Sequence, residues 1–398
     1  MSDASIHRIV IIGGGIIGCT TAYYLSRHPK YIPSEVAITV IEASSRGAAQ
    51  GASGKAGGLV AKWAYPKELV SVSFAEHVRL AEEHDGAARW GWRYVAMGRW
   101  EGKGADSGVR MPRAHEKSLE KTLGLEPDRR GTRKTKGLPD DLLWVREDLT
   151  ESYSSMAPDG ETAQVHPYLF TTGMLDLAKE KGVEFTSGSV TSILKEGGQV
   201  TGVRYTDPSG TEETLPASDV LLCAGAWSSR ILPGLPIEGT RAHSVVIRTP
   251  AASPIAPYVL FTEITGTGNG ALSPEIYARP DGTVYACGPG DDSAVPDSVD
   301  DVGVDSRACD ALLEDVCTIS EELAAGDVEV RQACFLPACS AGGGPIVGQA
   351  SPGLFIATGH TCWGISNAPG TAKAMSELIF DGKARCTDLK NLHPSNFL

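Results

Sequence analysis

The first forty residues constrain this chain most. Arg8 to Glu42 contains IVIIGGGIIGCTTAYYLS and then VAITVIE: an apolar run, a glycine turn, a helical stretch and a second apolar run ending on a carboxylate. Ile9 to Ile12 are the β-branched residues expected of a parallel strand buried on both faces. Gly13, Gly15 and Gly18 match G-x-G-x-x-G. In that pattern the first glycine allows the tight turn, the second lets backbone approach a pyrophosphate, and the third lets helix pack closely on strand. A helix opening at Ile16 and Ile17 would then present unpaired N–H groups and its positive dipole end to the diphosphate. Glu42, followed by Ala43, ends the second run, where a carboxylate can accept hydrogen bonds from a ribose diol. A 2′-phosphate would be repelled there, so an unphosphorylated adenosine half is expected. A lone glycine turn can merely join strand to helix, but these elements in sequence read as a dinucleotide-binding unit.

The rest of the composition bounds the answer. With 398 residues, 41% hydrophobic and 21% charged, the chain can bury a large core as one domain or two interleaved ones. A formal charge of −13 and the lack of any Lys/Arg run alternating with aromatics argue against a nucleic-acid partner. MSDASIHR leads straight into the first strand, leaving no room for a cleavable signal. No apolar stretch is long enough to span a bilayer, and SNFL at the end is not a peroxisomal SKL. Nine cysteines without paired spacing fit reduced thiols, Cys334 and Cys339 are not spaced as zinc ligands, and no metal is expected. A cytoplasmic location is the expectation.

Along the chain, SSRGAAQGASGKAGGLVAKW is too glycine-rich for a regular element and is expected to lie against a ligand. The periodicity predicts a helix over 68–97. A polar, basic excursion follows over 98–141, its cluster of cations read as a solvated face. His166 to Phe185 predicts a helix and a strand, 197–215 a hairpin pair, and DVLLCAGAW a buried strand ending in a small-residue turn. Residues 236–334 alternate as a mixed sheet would, with Asp281-Gly282 as a hairpin turn. Finally 353–357 reads as a strand, 359–367 as a loop and 368–380 as a helix.

Taken together, GGGIIG with Glu42, the SGKAGG loop, DVLLCAGAW and GLFIATGHTCWGISNAPGTAKAMSELI resemble the D-amino-acid-oxidase (DAO) superfamily of FAD-dependent oxidoreductases across essentially the whole chain. GASGKAGG, VHPYLFTTGML, RAHSVVI, EIYARPDGTVYACG, RQACFLP and GHTCWGISNAPGT further resemble a fungal branch described only as FAD-dependent oxidoreductases. The resemblance implies an α/β fold with a Rossmann-like FAD-binding domain of the glutathione-reductase type. Discontinuous segments 1–75, 160–235 and 335–398 would form it. A second α+β substrate domain with a mixed, largely antiparallel sheet would come from 76–159 and 236–334. It implies FAD as the cofactor, with Val190 near the adenosine half and Ala224, Gly225 and Trp227 along the middle. Ser53, Gly54, Lys55, Ala56, Gly57 and Gly58 would border the isoalloxazine. Gly359, His360, Thr361, Cys362, Trp363, Gly364 and Ile365 would bring backbone N–H groups and a helix start to the flavin pyrimidine side. Lys55 would either stabilise reduced flavin or simply meet a phosphate or water.

Departures from the family narrow the substrate. Where glycine-oxidase-like relatives clamp a substrate carboxylate with an Arg-Pro pair, this chain reads Phe335-Leu336-Pro337. The lysine that sarcosine-oxidase-like relatives carry is absent from TVYACG, and Cys334 matches their covalent flavin position only after a one-residue insertion, so non-covalent FAD is expected. Alternation puts Glu275, Tyr277 and Arg279 on one strand face, either towards the flavin, where Glu275 could bind an ammonium and Tyr277 line an apolar slot, or outward as a solvated stripe. His243 is a candidate base or a structural histidine. The catalytic candidates are thus Glu275, Tyr277, His243, Lys55 and Trp363. The favoured expectation is oxidation of a C–N bond in a small uncarboxylated amine, with hydride passing to flavin N5 and molecular oxygen reduced to peroxide. A flavin dehydrogenase or biosynthetic oxidase of a larger metabolite, or a non-catalytic FAD-binding protein, remain alternatives. Oligomeric state carries no sequence signal.

Overall fold

A computed structural model describes residues 6–105, 136–251, 255–265 and 273–398. Most of the basic cluster of the 98–141 excursion lies outside the described residues.

Two sheets organise the molecule. In the first, six strands run in the order Ile346–Ser351, Leu354–Thr358, Asp219–Leu222, His7–Ile12, Val36–Glu42 and Glu184–Ser187. All neighbours are parallel except Ile346–Ser351 against Leu354–Thr358. The alternation of the first strand decides its two faces. Ile9 and Ile11 enter a core shared with the helices Ile16–Leu25, Lys67–Glu83, Pro167–Lys179 and Gly364–Asp381, whereas Val10 and Ile12 enter one that includes Val190, Val200 and Val203. Those valines belong to the antiparallel meander Ser189–Glu196, Gln199–Thr206 and Glu212–Pro216. A strand covered on both sides needs the unbroken apolar run seen in its sequence.

The second sheet has seven strands: Asp327–Cys339, Ile237–Arg248, Thr283–Asp291, Glu275–Ala278, Tyr258–Thr265, Ala96–Lys103 and Thr150–Ser155. It is antiparallel apart from the pair Tyr258–Thr265 and Ala96–Lys103. The hairpin at Asp281-Gly282 forms, with Gly282 at φ +78. Helix Ser306–Thr318 covers the outer face through Cys309, Leu312 and Val316, and the inner face, with Val246, Val259, Tyr277 and Tyr285, turns towards the first sheet.

Two helix boundaries differ from expectation. The helix expected over 68–97 ends at Glu83; a short helix Gly86–Trp90 follows, and Ala96–Lys103 is a strand, because Asp85 and Gly91 adopt left-handed conformations that break the helix twice. Gly98 to Lys103, read as part of a polar excursion, thus pairs within the sheet. The closing helix starts at Gly364, four residues before the expected 368, and Pro369 sits six residues into it. None of the described helices is long and apolar enough to cross a membrane.

Candidate functional site

The glycine turn is shaped by contacts that leave no room for side chains. Gly13 has φ +114, and a Cβ there would lie 2.5 Å from the Cys223 carbonyl oxygen. A Cβ on Gly18 would lie 2.0 Å from the Gly13 carbonyl oxygen, so helix and turn touch through it. Ser53 faces Gly15, and its hydroxyl accepts the Ile16 N–H at 2.9 Å. The Glu42 carboxylate accepts the N–H groups of Gly14 at 2.6 Å and Ser44 at 2.8 Å. Burial pushes its pKa up, and those donors oppose the shift.

From this turn a cavity of about 420 Å³ runs to the inner face of the seven-stranded sheet. Its walls carry Gly13, Gly15, Ile16, Ile17, Glu42, Ala43, Ser53, Lys55, Ala56, Gly57, Gly58, Val190, Ala224, Gly225, Trp227 and every residue from Gly359 to Ile365. Gly18 and Gly54 do not line it. Gly18 serves the helix packing just described, and a Cβ on Gly54 would lie 2.0 Å from the Ala49 carbonyl oxygen, so Gly54 lets its loop fold tightly.

At the sheet end, Glu275 and Tyr277 face the cavity, and the Tyr277 hydroxyl donates to the Glu275 carboxylate. The strand face that sequence left open therefore points inward. Burial raises the Glu275 pKa, opposed by the Tyr277 hydrogen bond. Phe261, Tyr285, Cys287, Phe335 and Leu336 complete the wall, and the Tyr277 ring lies over Gly57, where a Cβ would come within 2.7 Å of it. Arg279 shares the face but not the cavity: its guanidinium is buried, donates to the Ala56 carbonyl at 3.0 Å and sits 5.1 Å from the centre of the Tyr285 ring. Lys55 lines the cavity, and its ammonium donates to the Ala333 carbonyl at 2.9 Å; burial lowers its pKa. Trp363 lines the cavity with its indole N–H buried and unpartnered.

His243 is placed elsewhere. Its Nε2 accepts the Asp305 N–H at 3.0 Å, where Asp305 caps helix Ser306–Thr318, and the ring does not reach the cavity. Its alternation along Ile237–Arg248 brings it to the outer face, away from the other candidates that line the cavity.

One part of the site gave no usable sequence signal. The segment Val295 to Asp301 crosses the cavity as a strap, with Asp297 and Val299 in its wall. On one side Trp227 donates its indole N–H to the Pro296 carbonyl at 2.8 Å, and Arg230 reaches Asp297 at 2.7 Å. On the other, Asp300 accepts from Ser44 Oγ at 2.6 Å and from Ser45 N–H at 2.9 Å. These donors hold the Asp300 carboxyl at about 2 despite the opposing cost of burial. In sequence DSVDD looks like any solvated acidic turn.

A family model for FAD-dependent oxidoreductases matches residues 8–378. The chain belongs to the DAO family of FAD-dependent oxidoreductases. It is 34% identical to TDA3 of Saccharomyces cerevisiae, covering 97% of this chain and 94% of that protein. It is 31% identical to a Schizosaccharomyces pombe protein, covering 98% of each. Both are named as oxidoreductases without a substrate. Among solved structures, glycine oxidase from Bacillus cereus superposes with a TM-score of 0.71 at 19% identity, over 95% of this chain and 96% of that one. Iminodiacetate oxidase from Chelativorans gives 0.69 at 20% identity, over 97% and 99%. These likenesses establish the fold.

The residues present fit the family's cofactor. The glycine turn leaves backbone bare at a helix start, Glu42 stands at the end of the second strand, and the cavity joins both to a buried, unpartnered indole donor.

Proposed function

We propose that this DAO-family enzyme oxidises a carbon–nitrogen bond in a small amine that carries no carboxylate. The observation that carries the reading is the sheet end of the cavity, where one carboxylate, Glu275, stands among Phe261, Tyr277, Tyr285, Phe335 and Leu336. The cations that line the cavity are committed elsewhere among the described residues, Lys55 to the Ala333 carbonyl and Arg230 to Asp297. A substrate carboxylate would thus be buried opposite Glu275 with no guanidinium to compensate it, whereas an ammonium would find its counter-ion.

The chain's share of the work follows from those positions. Glu275 receives the ammonium and, with Tyr277, orients the carbon attached to nitrogen. The apolar walls lower the amine's proton affinity by desolvation, and Glu275, whose own pKa burial raises, takes up the ammonium proton to leave the neutral amine needed for hydride loss. FAD, when bound, would supply the two-electron redox chemistry, with oxygen as the expected acceptor. Lys55 places a positive charge on the cavity wall beside Ala56 and Gly57. Cys334 also lines the cavity, but burial pushes its thiol up to about 11 and suppresses the thiolate, which supports FAD held non-covalently. All nine cysteines are free thiols, in keeping with a reducing, cytoplasmic setting. We infer an FAD-binding part from 1–75, 160–235 and 335–398 and a substrate part from 76–159 and 236–334.

The pH profile of Glu275→Gln tests this reading. Ammonium binding needs Glu275 ionised, so the acid limb of kcat/KM should lie above the ordinary carboxylate range, the direction in which burial moves this group. Glu275→Gln should weaken amine binding by roughly 10- to 100-fold, the worth of a hydrogen bond to a charged group, and remove that limb. Unchanged binding with the limb intact would refute the role of Glu275.

A further inference from the structure

Trp363 in the cavity wall is packed against two further aromatic rings. Trp363 lines the cavity, and the Trp63 ring meets it edge-on, with centroids 5.2 Å apart and planes at 89°. Tyr65 meets the same indole at 5.5 Å and 68°. Both outer rings are exposed, Trp63 by 38% and Tyr65 by 58%, which is unusual for large aromatics clustered together. The cluster is not a loose loop tip. Asn367, fully buried in the closing helix, donates to the Tyr65 carbonyl at 2.8 Å, and Ser366 accepts the Ala61 N–H at 3.3 Å. The two loops that carry the rings are thus fixed to one rigid helix. The Trp363 indole N–H is buried with no acceptor, a donor whose desolvation nothing in the protein compensates.

We propose that Trp63, Tyr65 and Trp363 form an aromatic gate that selects substrates bearing a flat aromatic group. The inference rests on the amine reading above and adds the body of the substrate to its reacting end. Offset and edge-to-face ring contacts favour an aryl group over an alkyl chain of equal size, because the ring edge and face carry opposite partial charge. An aliphatic amine gains only area burial at the same surface.

The test uses the FAD-loaded protein without oxygen and reads binding from perturbation of the flavin absorbance, separately from its bleaching. The probes are phenethylamine, n-hexylamine and, as a ring without the amine, phenethyl alcohol. Wild type should bind phenethylamine about 10-fold more tightly than n-hexylamine, the range expected of aromatic pair contacts, and phenethyl alcohol, which lacks the ammonium, more weakly than phenethylamine but with the same dependence on the gate. Trp63→Ala with Tyr65→Ala should erase that preference, weakening phenethylamine more than n-hexylamine, while leaving flavin content unchanged. Trp63→Phe with Tyr65→Phe should restore it. Ring-bearing probes that bind with gate dependence but never bleach the flavin would keep the gate and reject amine oxidation. Equal affinity for rings and chains in wild type, or a preference that survives the double alanine variant, would overturn the gate.

Discussion

Gly57 and Gly13 are the residues at which a single methyl group would do most damage, for different reasons. At Gly57 the added Cβ would lie 2.7 Å from the Tyr277 ring, so Gly57→Ala should displace Tyr277 from Glu275. Flavin content should survive and amine binding should fall at least about 10-fold, a loss of ~1.4 kcal/mol, measured by absorbance titration. At Gly13 the backbone is both left-handed and pressed on Cys223, so Gly13→Ala should yield protein with little or no flavin. The contrast was partly legible in sequence. Gly13 declares itself through the spacing to Gly15 and Gly18, but Gly57 owes its importance to a tyrosine 220 residues away, and no local pattern records that. Glu275 and Tyr277 were legible as a face, through alternation, but not which way it pointed. Pairing of Glu275–Ala278 with Thr283–Asp291 and Tyr258–Thr265 decides that. His243 lies off the cavity, and a histidine on a strand looks the same in sequence whichever face it takes.

Among the elements, the strap from Val295 to Asp301 makes the clearest claim. It is pinned on both sides of the cavity by Asp300 and Arg230, so release of a bound cofactor is expected to depend on breaking those contacts. Asp300→Ala removes four acceptor contacts, to Ser44, to the Ser45 N–H and hydroxyl, and to Arg46. FAD dissociation should accelerate by about 10-fold or more, followed by the rise of free-flavin fluorescence on dilution, with the melting temperature of the FAD-free protein little changed. An unaltered rate would mean that the strap is mere surface. Helices and strands with strong periodicity were readable, the first βαβ unit above all. The boundary error over 68–97 has a plain cause: Asp85 and Gly91 end helices by conformation, and neither is visible in a hydrophobic pattern.

For the whole molecule, acid lability follows from three histidines kept neutral by burial. His360 is pushed down to about 3, and His77 and His166 to about 4. Their folded values lie below the ordinary 6.5, so the unfolded chain binds protons first as the pH falls. Stability should therefore be full above pH 6.5 and decline towards pH 4, seen as a falling melting temperature. His77→Phe, which keeps the stacking on Trp92 and Phe170, should flatten the decline. At this scale the fold and its cofactor were legible because motifs at both ends of the chain agreed on one nucleotide site, and the substrate was not, because its pocket is assembled from the second sheet. The most direct measurement adds uncarboxylated amines and the matching amino acids to the FAD-loaded enzyme without oxygen and follows the flavin absorbance. Bleaching by the amines, abolished or slowed by Glu275→Gln, is the expected result. Bleaching by the amino acids alone would contradict the account.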